Sequence, residues 1–387
     1  MDKMNSSDNF SDLADEDYTN GVEACYPYGY YIHLLHTYYL PSISIIGIVG
    51  NCLSFSVFMS SHMKMKSSSY YLAVLALADL GFLIVVIVVQ CSFNGIFEIY
   101  NVEGWCQFFV YMSSVCATLS VWLIVAFTVE RFIAVQYPFQ KPNICTVRRA
   151  RITVSILILL AIISQLYTFW IAGIIENDFN EFECEMLPQY QEVMKIVNFI
   201  DTIVTLILPL VMIVAMNTMI ARSLIMFRKR MVAKEVNGRY SDEDDSRHNP
   251  FTESKPNRAI FKVKSSSSVL LKSKKSSSTH LSLGERISQI HIRNSDSSWS
   301  SKSQDNITKT LLIISSVFVG LNLPSYTIRI WIFFGFTLYE KLPPEVLWCT
   351  QQVAMLLYYT NFSVNFILYT MCGATFRRCL WKMIKWN

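Results

Sequence analysis

Residues 120–138 read SVWLIVAFTVERFIAVQYP, and this stretch decides how the rest of the chain is interpreted. A long apolar segment ends in an acidic and a basic residue side by side, Glu130 and Arg131, and Tyr137-Pro138 then opens a basic loop. Charged side chains are costly at a membrane span unless they lie at its interface with water or serve a function. The stretch therefore predicts a membrane helix that ends in a functional charged pair.

The composition excludes an ordinary soluble protein. Of 387 residues 52% are hydrophobic and only 16% are charged, and the mean hydropathy is +0.33. A helix needs about 20 apolar residues to cross a bilayer core. Seven stretches are long enough, namely 38–59, 70–97, 105–129, 152–175, 196–220, 310–328 with an aromatic extension to 336, and 346–376. Only Asp79, Asp201 and Arg329 are charged within them. The sequence predicts an all-α membrane protein, a bundle of seven transmembrane helices.

The distribution of Lys and Arg predicts the orientation, because positively charged loops stay cytoplasmic. These residues follow the first, third and seventh spans, whereas acidic residues collect in the first 37 residues and between spans four and five. We expect a multi-pass plasma-membrane protein with an extracellular N-terminus. Residues 1–37 lack the pattern of a signal peptide, so the first span is expected to direct insertion. The sequons at Asn5 and Asn9 lie in this outer tail and are predicted glycosylation sites.

Ten cysteines are present, without the spacing of a small disulfide-rich fold. Cys106 begins the third span and Cys184 lies in the acidic outer loop, so both face the oxidising side and are predicted to form a disulfide. Five cysteines within spans are interpreted as small apolar packing residues, namely Cys52, Cys91, Cys116, Cys349 and Cys372. A pairing of Cys25 with Cys349 stays open. Cys379 is either palmitoylated or a plain surface thiol.

Polar and proline residues in six of the spans follow one another in a recognisable order. They are Gly50-Asn51, the LALAD motif ending at Asp79, Glu130-Arg131, Pro209, Phe318 with Pro324, and the NFILY motif from Asn365 to Tyr369. In order and approximate spacing this set resembles the rhodopsin-like (class A) G-protein-coupled receptors, most closely their neuropeptide-receptor branch. The resemblance covers about residues 38–384 without the central loop.

The resemblance implies five regions along the chain. They are an extracellular acidic tail (1–37), transmembrane helices 1–5 (38–229), a Ser/Lys-rich third cytoplasmic loop (230–303), transmembrane helices 6 and 7 (304–372), and a short amphipathic eighth helix with a cytoplasmic tail (373–387). The third loop cannot bury enough apolar surface to fold alone, so it is expected to be disordered. Its serines among lysines suggest kinase targets, although a solvated linker has the same composition.

The resemblance also implies a switch for a heterotrimeric G protein, formed by Glu130, Arg131, Asn365 and Tyr369. An arginine held by the adjacent glutamate at rest, and released when the sixth helix moves, has the two arrangements that a switch needs. Arrestin and receptor kinases are implied partners at the Ser-rich loop, and no nucleic acid is expected.

Asp79 is a carboxylate surrounded by Leu, Ala and Val, and such a group must find partners or be protonated. The resemblance implies an allosteric sodium ion bound by Asp79, Ser120, Asn361 and Asn365, and oxygen ligands suit a hard cation. A protonated carboxyl in a purely structural network is the alternative. No other cofactor is expected.

The ligand is predicted from exclusions and from charge. Ser113 stands where amine receptors carry an aspartate, and Tyr359 stands where opsins carry the retinal-binding lysine. The outer face is acidic and aromatic, which favours a basic or amidated peptide, and a non-peptide small molecule is the alternative. The candidate ligand-binding residues are Ser113, Ser114, Asp201, Asn322, Tyr326, Arg329, Gln352, Met355 and Tyr359.

Asp201 and Arg329 are charged within spans, which by default indicates function. Both are expected in the outward halves of the fifth and sixth helices. They form a resting ion pair that a ligand divides, or a permanent pair that only joins the two helices.

Departures from the family pattern concern the activation path. Asn322 replaces the sixth-helix tryptophan, Phe366 replaces the seventh-helix proline, and Asn217 replaces the fifth-helix tyrosine.

Other classes of protein are less consistent with this sequence. No Ser/His/Asp or two-carboxylate set indicates an enzyme, and no His/Cys cluster has metal-ligand spacing. A channel or transporter would need a polar path or broken helices in paired halves, and it remains a remote alternative.

Overall fold

The computed structural model describes residues 25, 28–60, 63, 66–176, 182–247, 312–336 and 344–385. The predicted glycosylation sites Asn5 and Asn9 lie outside the described residues, as does most of the third cytoplasmic loop. The chain divides into two units, of which the first contains residues 1–223 and 306–387 and the second contains residues 224–305.

Eight helices of at least 12 residues follow one another along the described part of the chain, with short helical segments between them at Lys141–Ile144, Thr168–Ile171 and Pro188–Tyr190. They are α1 (Gly29–Met59), α2 (Ser67–Phe93), α3 (Trp105–Gln136), α4 (Val147–Ser164), α5 (Gln191–Asp201, Thr202–Ile207 and Leu208–Arg247 in direct succession), α6 (Leu312–Gly335), α7 (Glu345–Cys372) and α8 (Ala374–Lys385). The turns Leu35–Tyr39 in α1 and Thr202–Ile207 in α5 are wider π-helical turns. The predicted seven-helix bundle with a short eighth helix is confirmed.

Six segments of the described chain, containing α1 to α6, are long and apolar enough to cross a membrane. Helix α7 has 28 residues but is more polar than the others. Its polar side chains Asn361, Ser363 and Asn365 are at most 4% exposed. Helix α7 can therefore lie in a bilayer, because its polar groups face the other helices.

The fourth span is shorter than predicted. Helix α4 ends at Ser164, one further turn follows at Thr168–Ile171, and residues 172–175 are not helical. Instead, strand β1 (Ala172–Glu176) pairs antiparallel with strand β2 (Phe182–Met186), and Ile174 lies opposite Cys184. The β-branched isoleucines of β1 favour an extended backbone here, where the chain has already left the helix. This hairpin is an addition to the predicted all-α fold.

The fifth helix extends beyond the boundary predicted at residue 230, since its last segment reaches Arg247. Residues 231–235 read MVAKE, all but valine being good helix formers, and this explains the extension. The expectation of a disordered loop starting at 230 is therefore wrong for residues 230–247.

Helix α2 packs between α1 and α3, and α7 packs against α1. The face of α1 that forms these contacts carries small residues, the buried Ser44, Gly47, Asn51 and Ser54. Small residues let backbones approach closely where helices pack within a membrane. A methyl group added at Gly47 would lie 2.5 Å from Ser363 Oγ of α7 and 2.6 Å from Leu83 Cδ1 of α2. Both distances are shorter than the contacts that Cβ atoms make in real proteins.

The eighth helix has the expected amphipathic character. Phe376 is buried against Phe58 and Tyr369, whereas Trp381 and Ile384 are exposed together with the basic side chains. The guanidinium of Arg377 donates hydrogen bonds to the carbonyls of Thr370 and Met371, at 2.9 and 2.7 Å. These bonds satisfy two acceptors at the end of α7 and fix the angle at which α8 departs.

Two disulfides join elements at one end of the bundle. The predicted bond between Cys106 and Cys184 ties the hairpin to the start of α3. Cys25 also pairs with Cys349, so the interpretation of Cys349 as an apolar packing residue is wrong. Helix α1 begins at Gly29, earlier than residue 38, and this extra length brings Cys25 to the first turn of α7.

Candidate functional site

A cavity of about 310 Å³ lies among α2, α3, α5, α6 and α7, with residues after α4 contributing to one side. Seven of the nine predicted ligand-binding residues line it, namely Ser113, Ser114, Asp201, Tyr326, Arg329, Met355 and Tyr359. Its volume is in the range of small-molecule sites, so it can accept one or two residues of a larger ligand. Their role in binding stays a prediction.

The structure does not bring the other two predicted residues to this cavity. Asn322 is 1% exposed and donates a hydrogen bond of 2.7 Å to the carbonyl of Phe318 in its own helix. In α7 the cavity is lined by Gln351 instead of Gln352. Adjacent helical residues point about 100° apart, so Gln351, Met355 and Tyr358 share the inward face.

Several lining residues were not predicted. Gln165 donates a hydrogen bond of 3.0 Å to Thr118 Oγ1, and Tyr167, Asn198 and Tyr358 also line the cavity. Spacing of three or four residues from the predicted ones could have found some of them, because such residues share a helical face. Nothing in the sequence indicated Gln165 and Tyr167, since they follow the end of α4.

The two charged residues of the cavity face each other across α5 and α6. Arg329 Nη2 lies 3.3 Å from Asp201 Oδ2, so the predicted ion pair is present. The side chains are 46% exposed for Arg329 and 21% exposed for Asp201. The side chain of Arg329 is thus the more accessible member of the ion pair from the cavity.

A polar centre surrounds Asp79 below this cavity. Asp79 is fully buried and accepts hydrogen bonds from Ser120 Oγ on one carboxylate oxygen and from Asn365 Nδ2 on the other, each at 2.7 Å. Asn361 is also buried, one turn before Asn365, but the described hydrogen bonds do not connect it with Asp79. The centre joins α2, α3 and α7 through one carboxylate.

These residues fit a small hard cation by their chemistry, because they offer carboxylate, hydroxyl and amide oxygens. In the arrangement described, Asn365 presents its nitrogen to Asp79, so its amide would have to turn to offer its oxygen. Among the described residues no group of three or more His, Cys, Asp or Glu could hold a metal ion.

The predicted switch lies at the other end of α3. Arg131 Nη2 is 3.4 Å from Glu130 Oε1, and both side chains are 8% exposed. Ser67 Oγ of α2 donates a hydrogen bond of 2.8 Å to the same carboxylate oxygen. The guanidinium of Arg131 lies over the ring of Phe127 at 5.5 Å. The arginine is therefore held by its own helix, and α2 holds its partner.

The loop after α3 shares this electrostatic environment. Burial lowers the pKa of Lys141, and the positive charge of Arg131 lowers it further. Burial also raises the pKa of the Cys145 thiol, and the carboxylate of Glu130 adds to this effect. Cys145 is thus a neutral thiol near pH 7.

Tyr369 connects the switch region with α1 and α8. Its ring packs edge-on against Phe58 and near Phe376, and its buried hydroxyl has no hydrogen-bond partner among the described residues. Asn365, one turn earlier in α7, is bonded to Asp79. The seventh helix therefore carries one predicted switch residue at the polar centre and another near α8.

A bundle of seven helices with a buried carboxylate at its centre, a cavity toward one end and a Glu-Arg pair toward the other defines the class of seven-helix membrane receptors. The profile of the 7 transmembrane receptor (rhodopsin family) matches residues 50–369. The chain belongs to this family, the rhodopsin-like G-protein-coupled receptors, and is not an enzyme.

Similar proteins include receptors named for peptides and for adrenergic ligands. The galanin receptor 2a of Danio rerio is 26% identical over 121 residues, which cover 30% of this chain and 32% of that protein. The FMRFamide peptide receptor frpr-18 of Caenorhabditis elegans is 30% identical over 33% of this chain and 31% of its own length. The alpha-1A adrenergic receptor of Oryzias latipes is 34% identical over 31% of this chain and 25% of its own length. The chain thus spans between about a quarter and just over a third of the length of the curated relatives it matches.

Proposed function

We propose that this protein is a plasma-membrane receptor that binds an extracellular peptide and activates a heterotrimeric G protein. The observation that carries the proposal is the buried pair of Glu130 and Arg131, held in a local arrangement at the end of α3. Ser113 lines the cavity on the same helix, about 27 Å away at the rise of an α-helix. One rigid helix therefore connects the proposed binding and signalling ends.

The proposed orientation places the cavity, the hairpin and the N-terminus outside the cell. The basic loops at the end that contains Arg131 support it, because positive loops stay cytoplasmic. The two disulfides at the opposite end support it as well, since disulfides persist in oxidising surroundings.

A peptide ligand is supported by charge at the outer end. The first outer loop carries Glu98 and Glu103, and the hairpin carries Glu176, Glu183 and Glu185. An acidic surface attracts cationic partners and raises the rate of their association. Two similar receptors are named for peptides, galanin and FMRFamide peptide, and this also supports a peptide ligand.

Activation would release Arg131 from Glu130 when α6 moves outward. A small cavity beside Arg131 is lined by Phe127, Thr128, Asn217 and Ser315, among others. Asn217 Nδ2 donates a hydrogen bond of 2.8 Å to Ser315 Oγ, which joins α5 to α6 there. Separation of these two helices would enlarge this cavity into a cleft that exposes Arg131 to the G protein.

A sodium ion is a further part of the proposal. Asp79, Ser120, Asn361 and Asn365 would hold it and would favour the resting state. An ion that prefers one of two states shifts the equilibrium toward that state.

Interactions outside the described residues rest on the sequence alone. Kinase phosphorylation and arrestin binding at the Ser-rich third loop and glycosylation of Asn5 and Asn9 belong to this group. Palmitoylation of Cys379 is also part of the proposal. Cys379 is a partly exposed free thiol in α8 beside exposed basic residues, which is compatible with an acyl chain entering the adjacent bilayer.

The proposal is tested with Arg131→Ala in the full-length receptor. We expect guanine-nucleotide exchange on a panel of heterotrimeric G proteins to be abolished, because the released guanidinium is the proposed contact. Peptide binding should be largely kept, since the cavity is about 27 Å away. Arg148→Ala, at an exposed basic residue of the same cytoplasmic end, is the control. Undiminished exchange by Arg131→Ala at equal surface expression would remove Arg131 from this role.

A further inference from the structure

The Asp201–Arg329 pair has unused hydrogen-bonding capacity that faces the cavity. An arginine carries five N–H donors in a planar fork. Among the described residues, Arg329 uses one nitrogen in a single contact of 3.3 Å with one oxygen of Asp201. This is longer than a good charge-assisted bond, which measures about 2.7–2.9 Å. With nearly half of its side chain exposed, Arg329 has donors available beside a carboxylate that has acceptor sites available.

Charge balance limits which ligand group can bind there. Asp201 and Arg329 are the charged residues among those that line the cavity, and together they are neutral. A ligand carboxylate would bind Arg329 but would leave one excess negative charge, and a ligand cation would leave one excess positive charge. Burying an uncompensated charge is costly. A neutral group that can both donate and accept avoids this cost.

A primary carboxamide has this chemistry in one flat group. Its oxygen accepts hydrogen bonds and its NH₂ group donates two. The oxygen can therefore accept from Arg329 while the nitrogen donates to Asp201, so the amide bridges both members of the pair without separating their charges. A hydroxyl could make the same two bonds, but it would lack the second donor and the planar match to the guanidinium.

The surrounding wall indicates what accompanies this group. Tyr167, Tyr326, Tyr358 and Tyr359 line the cavity, together with Met355. Aromatic side chains and methionine suit an apolar or aromatic side chain next to the amide. The acidic outer loops favour basic residues farther along the ligand.

We propose that the Asp201–Arg329 pair is a binding site for a primary carboxamide, and specifically for the amidated C-terminus of a peptide. This inference rests on the proposed receptor function, which it makes more specific. In this assignment Arg329 donates hydrogen bonds to the amide oxygen. Asp201 holds Arg329 in place and accepts a hydrogen bond from the amide nitrogen.

The test uses small probes on the purified full-length receptor in lipid nanodiscs. The probes are N-acetyl-phenylalaninamide, N-acetyl-phenylalanine, phenethylguanidine, and N-acetyl-glutamine N-methylamide, whose carboxamide is in a side chain. Binding is measured by surface plasmon resonance to wild type, to Arg329→Gln, and to the control Arg222→Gln, which changes an exposed arginine of α5 outside the cavity.

We expect N-acetyl-phenylalaninamide to bind at least about tenfold more tightly than the carboxylate and the guanidine, because each of these leaves an uncompensated charge. It should also bind more tightly than the glutamine probe, which lacks the aromatic side chain that the tyrosine-lined wall accommodates. Arg329→Gln should lose this preference and Arg222→Gln should keep it. The inference is overturned if the carboxylate or the guanidine binds as well as the amide. It is also overturned if Arg329→Gln binds every probe as wild type does, including the case in which no probe binds. Equal binding of the glutamine probe would overturn the assignment to a C-terminus.

A second variant protects the test against misfolding. Removing one partner of a partly buried pair can destabilise the protein, whereas Asp201→Asn combined with Arg329→Gln leaves no unpaired charge. The double variant should fold and should bind the amide several-fold more weakly, since neutral hydrogen bonds are weaker than charge-assisted ones. Unchanged amide affinity in the folded double variant would contradict the inference. Nucleotide exchange measured on the same wild-type preparation tests the receptor function separately from carboxamide binding.

Discussion

Gly47 of α1 offers a direct test of how closely the first, second and seventh helices approach. A Cβ atom at this position would lie 2.5 Å from Ser363 Oγ, 2.8 Å from Ser363 Cβ and 2.6 Å from Leu83 Cδ1. Leu83 and Ser363 are 0% and 1% exposed, so neither can move into solvent. Overpacking of this kind typically costs about 1–3 kcal/mol. Gly47→Ala should therefore destabilise the receptor, although alanine is the better helix former.

Gly320 of α6 provides the matched control, because a Cβ atom added there meets nothing within 4 Å. Gly320→Ala should stabilise the protein by about 0.5–1 kcal/mol through helix propensity alone. In thermal unfolding of detergent-solubilised receptor, we expect a decrease in Tm of roughly 3–10 °C for Gly47→Ala and no decrease for Gly320→Ala. Ser363→Gly should recover part of the loss when combined with Gly47→Ala, because it removes two of the three close contacts. A Tm for Gly47→Ala at or above that of wild type would refute the close packing of α1 on α7.

Three other regions give predictions of the same kind. Replacing either Cys25 or Cys349 by serine should reduce the free energy of unfolding by a similar amount, roughly 2–4 kcal/mol. The double variant should lose no more than either single one. Free thiols at both positions in non-reducing peptide mapping would contradict the bond. Sodium chloride should raise the Tm of the wild-type receptor above its value in N-methylglucamine chloride, and Asp79→Asn should remove this difference. If sodium shifts the Tm of the wild type and of Asp79→Asn equally, the result would support a purely structural carboxyl. Ser67→Ala should raise basal nucleotide exchange about fivefold, because a bond worth about 1 kcal/mol to Glu130 is lost, and unchanged exchange at equal surface expression would argue against that contact as a restraint.

The sequence predicted the helices and several polar contacts because each rests on a strong physical constraint. A membrane span needs a minimum apolar length, so the positions of the seven helices followed from hydropathy. A buried charge needs a partner, so Asp79 was expected to have partners or be protonated, and the family resemblance placed candidate partners on α3 and α7. Asp201 was expected to pair with Arg329. Those contacts are present at 2.7 Å and 3.3 Å. The ends of α3 and α7 were less well predicted, because helix termini depend on local contacts.

The rotation of each helix about its axis was not available from the sequence. Gln351 and Gln352 are identical in chemistry and adjacent in α7, yet only Gln351 lines the cavity. Asn322 was expected to face a ligand and instead bonds within its own helix. Polar residues can satisfy their hydrogen bonds locally or across the bundle, and composition does not decide between the two.

The bond between Cys25 and Cys349 joins residues separated by 324 positions. Pairing at such a distance depends on the fold and not on a local pattern. The hairpin after α4 was missed for a related reason. Gly173 and the isoleucines that follow it continue an apolar stretch, and a short apolar run fits a buried helix or a strand equally well.

The departures from the family pattern bear on the activation step proposed above. Asn217, which replaces a tyrosine of the family, donates a hydrogen bond of 2.8 Å to Ser315 of α6 beside the cavity that Arg131 lines. Phe366, which replaces a proline, packs where a side chain at Gly50 would clash, and α7 runs unbroken from Glu345 to Cys372. Outward movement of α6 at this level must break the Asn217 bond, and a neutral bond contributes only about 0.5–1.5 kcal/mol. Among the described residues Arg131 is paired within its own helix, so this neutral contact can open there without separating an ion pair between α3 and α6. In the proposed mechanism the larger cost of activation falls on the release of Arg131 from Glu130, a step that a G protein would offset by providing acceptors of its own.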